Sequence, residues 1–309
     1  MKRITVIVPT WNGGSSVVGC IKSLVSQTYK PYETIVIDNA STDSTPDLVN
    51  RLVKRNKTVK FVRNDKNLGV TGGRNKGIEV CAKESDYLLF FDHDMLADKK
   101  MLEKLVKVAE NKNDIGIVTP KIYYKSERKR IWSAGTDINL WTGQVIFRNG
   151  IDVGQYDKTV EVGVSPAAIL VKRELVEKIE GFDNIFESSW EDADFCYMAR
   201  FEGYRTYYTP DAIAYHDIEY DTQKDAERLL VRYARNLGKN RIIFMRRYGK
   251  NLFIFLFFLP IYLIYYLYLA VKYKHLSGYL KFLKGTLEGF MLVNIKERRH
   301  VRMGTTRGT

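Results

Sequence analysis

Cysteine is scarce in this 309-residue chain: Cys20, Cys81 and Cys196 are scattered, with no CxxC pair and no Cys/His ligand spacing. A disulfide framework or structural zinc site therefore has no support, and a reduced intracellular compartment is the simplest expectation. Low-complexity tracts and fixed-period repeats are absent too, while the ordinary apolar and charged fractions allow one large core or two smaller ones. No secretory signal is visible, since Lys2 and Arg3 lead into only a short strand-like run before Pro9. The N-terminal body is accordingly expected in the cytosol. Acidic residues nearly vanish after Glu227, where 17 Lys/Arg face 2 Asp/Glu, a net +15, while residues 1–227 hold 32 basic and 34 acidic groups, a net −2. Such a tail points to nucleic acid or an anionic membrane as partner. The uncharged run at 251–271, NLFIFLFFLPIYLIYYLYLAV, is long enough to cross a bilayer and favours membrane over nucleic acid.

What is there begins with an alternation. Short apolar, β-branched runs at 3–8, 33–38, 59–64, 86–92 and 115–119 are separated by turns and by helical patterns near 15–27, 45–55, 70–82 and 98–112. This spacing predicts an α/β fold, a mostly parallel sheet with helices on both faces. Ligands of such sheets bind outside the carboxyl ends of the strands, where Asp38 and Asp92 and the turns 9–14 and 64–73 fall. Residues 120–165 read as irregular strands and loops. Helices are expected at 172–180 and 190–202, strand near 205–216, and a basic helix from about 226 to 248.

The fourth run ends on Asp92-His93-Asp94. Paired hard oxygen donors suit Mg²⁺ or Mn²⁺, which bind through one or two carboxylates together with substrate phosphates and neutralise a leaving diphosphate. The competing reading is a turn with a helix cap. In SWEDADF (189–195), Ser189 with Asp192 fits a capping box, while Glu191 and Asp192 beside Trp190 also suit a general base; the two readings are compatible. His216, just past an apolar run, is either structural or the imidazole that completes a metal site. NLGVTGGRNKG (67–77) is neither GxGxxG nor a Walker loop. Its glycines nonetheless allow backbone to approach an anion closely, with Arg74 within reach of a phosphate or base, or else they mark a tight turn.

Taken in order, ITVIVPTWNG, IVIDNASTDST, NLGVTGGRNKG, LLFFDHDM, GVSPAAILVKRELVEKIEGFD, SSWEDADFCYMARFEGYR and TPDAIAYHD resemble glycosyltransferase family 2 with its GT-A fold, over about residues 3–217. The nearest flavour is the rhamnosyltransferase-like branch, whose members often extend polysaccharides or lipid-linked glycans. The resemblance implies a nucleotide-sugar donor, a glycan or polyprenyl-linked acceptor, a divalent cation, and inversion by direct displacement. It implies Pro9, Thr10 and Asp38 as walls of the base pocket, Arg74 near the base or diphosphate, and Asp92 near ribose and metal. It further implies Asp94 and His216 as metal ligands, Asp192 as the base, and Trp190 with Glu191 on the acceptor side. A nucleotidyltransferase would carry a basic, Gly-rich loop after the first strand, and PTWNGGSS has no Lys or Arg. A non-catalytic scaffold is opposed by the intact acids at 92, 94, 191, 192 and 194.

Three regions follow: a catalytic domain at 1–225, a basic linker helix at 226–250 and a membrane-associated region at 251–309 on the cytosolic face. A single span fits poorly. Arg241, Arg246, Arg247 and Lys250 precede the apolar run, and Lys272, Lys274, Lys281, Lys284, Lys296, Arg298 and Arg299 follow it, against the positive-inside rule. Either Pro260 breaks the run into a hairpin, or 276–293 returns as an interfacial amphipathic helix. A soluble core helix pair is the remaining alternative. A polyprenyl-linked acceptor would then arrive from the membrane plane.

Overall fold

In the computed structural model residues 1–292 are described, and the chain divides into two compact units. The first comprises Met1–Asn139 with Gln144–Asp225; the second comprises Leu140–Gly143 with the chain from Ala226 onward.

The expected alternation opens the first unit: β1 (Ile4–Thr10), α1 (Gly14–Val25), β2 (Glu33–Asp38), α2 (Thr45–Arg55), β3 (Val59–Arg63), α3 (Gly69–Val80) and β4 (Tyr87–Phe91). A short β5 (Met95–Ala97), α4 (Met101–Ala109) and a long β6 (Ile115–Tyr124) follow. Next come β7 (Arg130–Ser133), β8 (Thr136–Ile138), β9 (Val145–Phe147), β10 (Gly150–Ile151), β11 (Val160–Val162) and β12 (Ala168–Lys172). The unit is completed by α5 (Arg173–Ile179), α6 (Glu191–Phe201) and β13 (Arg205–His216), while α7 (Thr222–Glu227) runs across the boundary.

Every residue of β1, β2 and β4 is buried, which is why these strands read as unbroken apolar runs. They pair in parallel, β4-β1-β2-β3, and the register sets Thr10 beside Asp38 and Asp38 beside Arg63. The carboxyl ends of these strands thus share one edge. β12 inserts antiparallel between β4 and β6, and β13 runs parallel to β6. Neither β12 nor β5 was expected as a strand. β12 is a five-residue apolar run directly before a helix, and β5 is three residues paired with β13, too short for periodicity to reveal.

The helix expected near 70–82 forms as α3, and the glycines of this stretch lie within it. Gly72, Gly73 and Gly77 lie inside α3, where a side chain at Gly77 would sit 2.2 Å from Ile7 Cγ2 and one at Gly73 3.0 Å from Pro9 Cβ. Gly73 and Gly77 seat the helix on β1.

In the second unit a π-helical turn (Arg228–Tyr233) leads into α8 (Ala234–Tyr248), α9 (Leu252–Lys272) and α10 (Leu276–Met291). The hairpin at Pro260 is not formed, because α9 continues through it as one 21-residue helix. A proline removes one helical hydrogen bond, and the remaining turns of this long segment hold the helix together. Residues 226–250, expected as a linker, are packed within this unit. α8 and α10 approach closely, with a side chain at Gly285 only 1.9 Å from the Arg235 carbonyl oxygen. Leu230, Ala234, Tyr266, Leu269, Ala270 and Phe282 form its core. Lys296, Arg298 and Arg299 lie outside the described residues.

Candidate active site at the strand ends

Arg74 organises the site. It lies on the inner face of α3, 1% exposed, which for an arginine requires charge partners. Its Nη2 donates to Asp92 Oδ1 at 3.1 Å, and its Nη1 donates to Asp192 Oδ1 and stands 3.7 Å from Glu191 Oε1. The guanidinium also lies 5.0 Å from the Phe182 ring centre. Acids from the end of β4 and the start of α6 are therefore held on one buried cation. Burial opposes its charge, yet the three carboxylates raise the Arg74 pKa and keep it protonated.

The backbone around this cluster is unusual. Ala167 has φ 61° and donates its N–H to Asp192 Oδ2 at 3.3 Å, while its carbonyl accepts from the Asp92 N–H at 3.1 Å. One left-handed residue before β12 thus touches both acids. Ser189 and Trp190 have φ 65° and 71°, and Trp190, not Ser189, is the cap residue of α6. Asp192 itself turns to Arg74 and Ala167. Glu191 is buried, and burial together with the Asp192 charge raises its carboxyl well above the ordinary range despite Arg74.

Asp94 belongs to a second group. Its Oδ1 is 3.3 Å from His216 Nε2 at the end of β13, and the pairing Met95–His216 between β5 and β13 fixes that approach. Burial alone would raise the Asp94 carboxyl, but the His216 and His93 imidazoles outweigh it and bring it to about 2. Trp132 stands edge-on to His216, ring centres 4.6 Å apart, and the buried His216 Nδ1 has no hydrogen-bond partner. Asp92 differs: burial raises its carboxyl, with Arg74 opposing.

Among the described residues no cluster of three or more His, Cys, Asp or Glu could hold a metal ion by protein donors alone. The Asp94–His216 pair nonetheless fits Mg²⁺ or Mn²⁺. It offers one carboxylate and one imidazole at one point, leaving the remaining positions to water and phosphate. The visible partner of Asp92 is Arg74.

Pro9 and Thr10 end β1, and the buried Thr10 Oγ1 has no hydrogen-bond partner. Asp38 is fully buried; both its oxygens accept from the Ser41 N–H (3.2 and 3.3 Å), and Arg63 Nε lies 3.3 Å away. Loop contacts tie the two strand ends together: Asn12 N–H donates to Ser41 Oγ and Gly14 N–H to Thr45 Oγ1, each at 2.8 Å. The structure thus joins Arg74, Asp92, Glu191 and Asp192 in one group and Asp94 with His216 in another. Ala167, Phe182 and Trp132 were missed by sequence reasoning. The left-handed alanine has no sequence signature, and the two aromatics act through contacts distant in sequence.

The model of the family described as Glycosyl transferase family 2 matches residues 5–180. The Streptococcus pneumoniae glycosyltransferase GlyG is 27% identical over 124 residues, 40% of each chain. The Staphylococcus aureus poly(ribitol-phosphate) β-N-acetylglucosaminyltransferase TarP is 30% identical over 183 residues, 52% of this chain and 55% of that one. The chain thus spans about half or less of these relatives' lengths. A similar fold is seen in the Pyrobaculum calidifontis mannosyltransferase PcManGT, solved with GDP-Man and Mn²⁺: TM-score 0.58, 20% identity, 93% of this chain and 73% of that one. With the family match covering more than half of its residues, and its acids gathered at the carboxyl ends of a GT-A sheet, the chain belongs to glycosyl transferase family 2.

Proposed function

We propose that the chain moves a sugar from a nucleotide-sugar donor to a hydroxyl of a glycan or polyprenyl-linked acceptor, with inversion, in residues 1–225. The observation that carries this reading is the Arg74 cluster, which fixes Asp192 beside the β4 acid Asp92. Asp192 Oδ1 is held by Arg74, while Oδ2 receives only a long bond from Ala167. That second oxygen takes the proton from the acceptor hydroxyl. The freed oxygen attacks the anomeric carbon from the face opposite the donor phosphate; the new C–O bond forms as the bond to the diphosphate breaks. The nucleoside diphosphate leaves with its electron pair, and the configuration inverts. Pro9, Thr10 and Asp38 line the base pocket, and Trp190 and Glu191 face the acceptor. Asp94 and His216 would hold the divalent cation, with Asp92 beside it; when bound, such a cation supplies positive charge for the leaving diphosphate. That PcManGT was solved with GDP-Man and Mn²⁺ supports the donor class and the cation. The basic stretch and the apolar helix support work at the cytosolic membrane face.

Calorimetric binding of UDP, GDP and dTDP, with Mn²⁺ and then with EDTA, tests this on wild type and Asp94→Ala. One nucleotide binding in a metal-dependent way, lost in the variant, is expected. No binding of any nucleotide under either condition would overturn the reading.

A further inference from the structure

We propose that the second unit is a one-leaflet anchor lying in the plane of an anionic membrane, and that α9 does not cross the bilayer. This deepens the membrane reading above and rests on it. By length and composition α9 could span: its 21 residues contain an 18-residue window with a mean hydropathy of 2.3. What packs along it argues otherwise.

α9 runs antiparallel to the preceding helical stretch over most of its length. Leu269 and Ala270 share one core cluster with Leu230 and Ala234, and Tyr262 lies under the Arg241 guanidinium, 4.0 Å from ring centre. α10 then returns beside the same stretch. Gly278 abuts the Leu230 carbonyl, Gly289 abuts that of Lys239, and Arg246 Nη1 donates to the carbonyls of Gly289, Phe290 and Leu292. Tyr266 of α9 stacks on Phe282 of α10, ring centres 4.0 Å apart. If α9 spanned, these contacts would carry Arg235, Lys239, Arg241, Lys281, Lys284 and Glu288 into hydrocarbon, where charges are costly.

The exposed surface has the form an interfacial anchor needs. One side of α9 is packed through Phe255, Tyr266 and Leu269, while the other exposes Phe253 (84%), Phe257 (79%), Ile264 (67%) and Val271 (61%). On α10, Leu276, Leu280, Leu287 and Met291 form one exposed stripe at helical spacing. Lys281 and Lys284 occupy the adjoining face, next to Glu288, which pairs with Arg235 at 2.8 Å. Lys272 and Lys274 are exposed at the turn between the two helices. An apolar face rimmed by lysines matches an anionic lipid surface. A second copy of the chain would set the same lysine rim against itself, so charge complementarity selects lipid.

The test uses the full chain and vesicles of phosphatidylcholine alone or mixed with phosphatidylglycerol. Flotation should be at least about tenfold stronger with the anionic vesicles, weaken in high salt, and drop about tenfold in Phe257→Glu/Ile264→Glu. Topology is read separately by placing single cysteines on either side of α9, Lys250→Cys before it and Ser277→Cys at the start of α10. The native thiols are all buried. In intact spheroplasts of the expression host an impermeant maleimide should label neither position, and after lysis it should label both. Labelling of one end in intact spheroplasts would establish a span and overturn the proposal. Failure to float, with a dimer by light scattering that the glutamate variant abolishes, would assign the face to a second copy and also overturn it. Nucleotide binding on the same preparations keeps the two readings apart: a chain that binds nucleotide without floating loses only the anchor.

Discussion

Arg74 gives both terminal nitrogens to carboxylates that are distant in sequence, which makes it the most consequential single side chain in the first unit. Replacing it by methionine would leave the buried Glu191 and the half-buried Asp92 and Asp192 without their cation, a change that costs about 3–5 kcal/mol. Thermal unfolding of Arg74→Met should show that loss, whereas Arg74→Lys, which keeps the charge but not the planar fork, should fold and lose activity. A methionine variant as stable as wild type would sink this account of the cluster. Asp192→Asn should retain nucleotide binding while turnover falls by about 10²–10⁴; unchanged turnover would remove Asp192 from the base role. Glu33 offers a control away from the site. It is 3% exposed, lies 2.6 Å from Lys60 Nζ and accepts from the Ala82 N–H and the Thr5 hydroxyl. Burial would raise its carboxyl, but these partners outweigh burial and lower it. Its contribution is therefore complete above the unfolded value of about 4.3 and is lost as pH falls through the lower folded value. Glu33→Gln should cost about 1–3 kcal/mol near pH 7, and the gap in Tm should close toward acid pH. At this scale the acids themselves were legible in the sequence. That Arg74 would hold them was not, because the pairing spans 118 residues and depends on how α3 and α6 meet the sheet.

Helix α3 shows how an element can break a local rule for a tertiary reason. Glycine inside a helix is unfavourable by about 1 kcal/mol relative to alanine, so Gly77→Ala should stabilise on propensity alone. The opposite is expected. A methyl there meets Ile7 Cγ2 at 2.2 Å, and overpacking of this kind costs about 1–3 kcal/mol. Differential scanning calorimetry of Gly77→Ala should show a lower Tm that Ile7→Val partly restores; a raised Tm would show that the helix can move off β1 at little cost. The close approach matters because it sets the depth at which Arg74, one turn earlier on α3, meets Asp92. Elements with a strong local signal, such as β1, β2 and α2, were legible in the sequence for that reason. β12 was not: it runs antiparallel within an otherwise α/β-like order, and its five residues lead straight into a helix. At α6 likewise, Trp190 takes the cap position that Ser189 was expected to hold, and Asp192 finds a long-range partner in Arg74.

For the whole molecule, the uneven charge, −2 before Arg228 and +15 from Arg228 onward, coincides closely with the division into two compact units at Asp225/Ala226. Composition therefore exposed the organisation before any element was assigned. A ligand that binds only the first unit should stabilise only that unit, and the chain need not unfold in one transition. Tryptophan fluorescence can separate the two, since Trp11, Trp132 and Trp190 lie in the first unit and only Trp141 in the second. A ligand held at 100 times its Kd adds about 2.7 kcal/mol to the state that binds it. For a unit of this size, that should raise the fluorescence-detected transition by about 5–10 °C. The shift is expected with Mn²⁺ and the preferred nucleoside diphosphate together, and should collapse with EDTA. In Asp94→Ala the metal-dependent part should vanish while the unliganded transition stays near the wild-type value, because the side chain is about a third exposed and its ion-pair partner is His216. An equal shift with EDTA, or in Asp94→Ala, would mean that the nucleotide is held without a cation at this pair. Asp94 and His216 would then be a structural contact that fixes β13 beside β5.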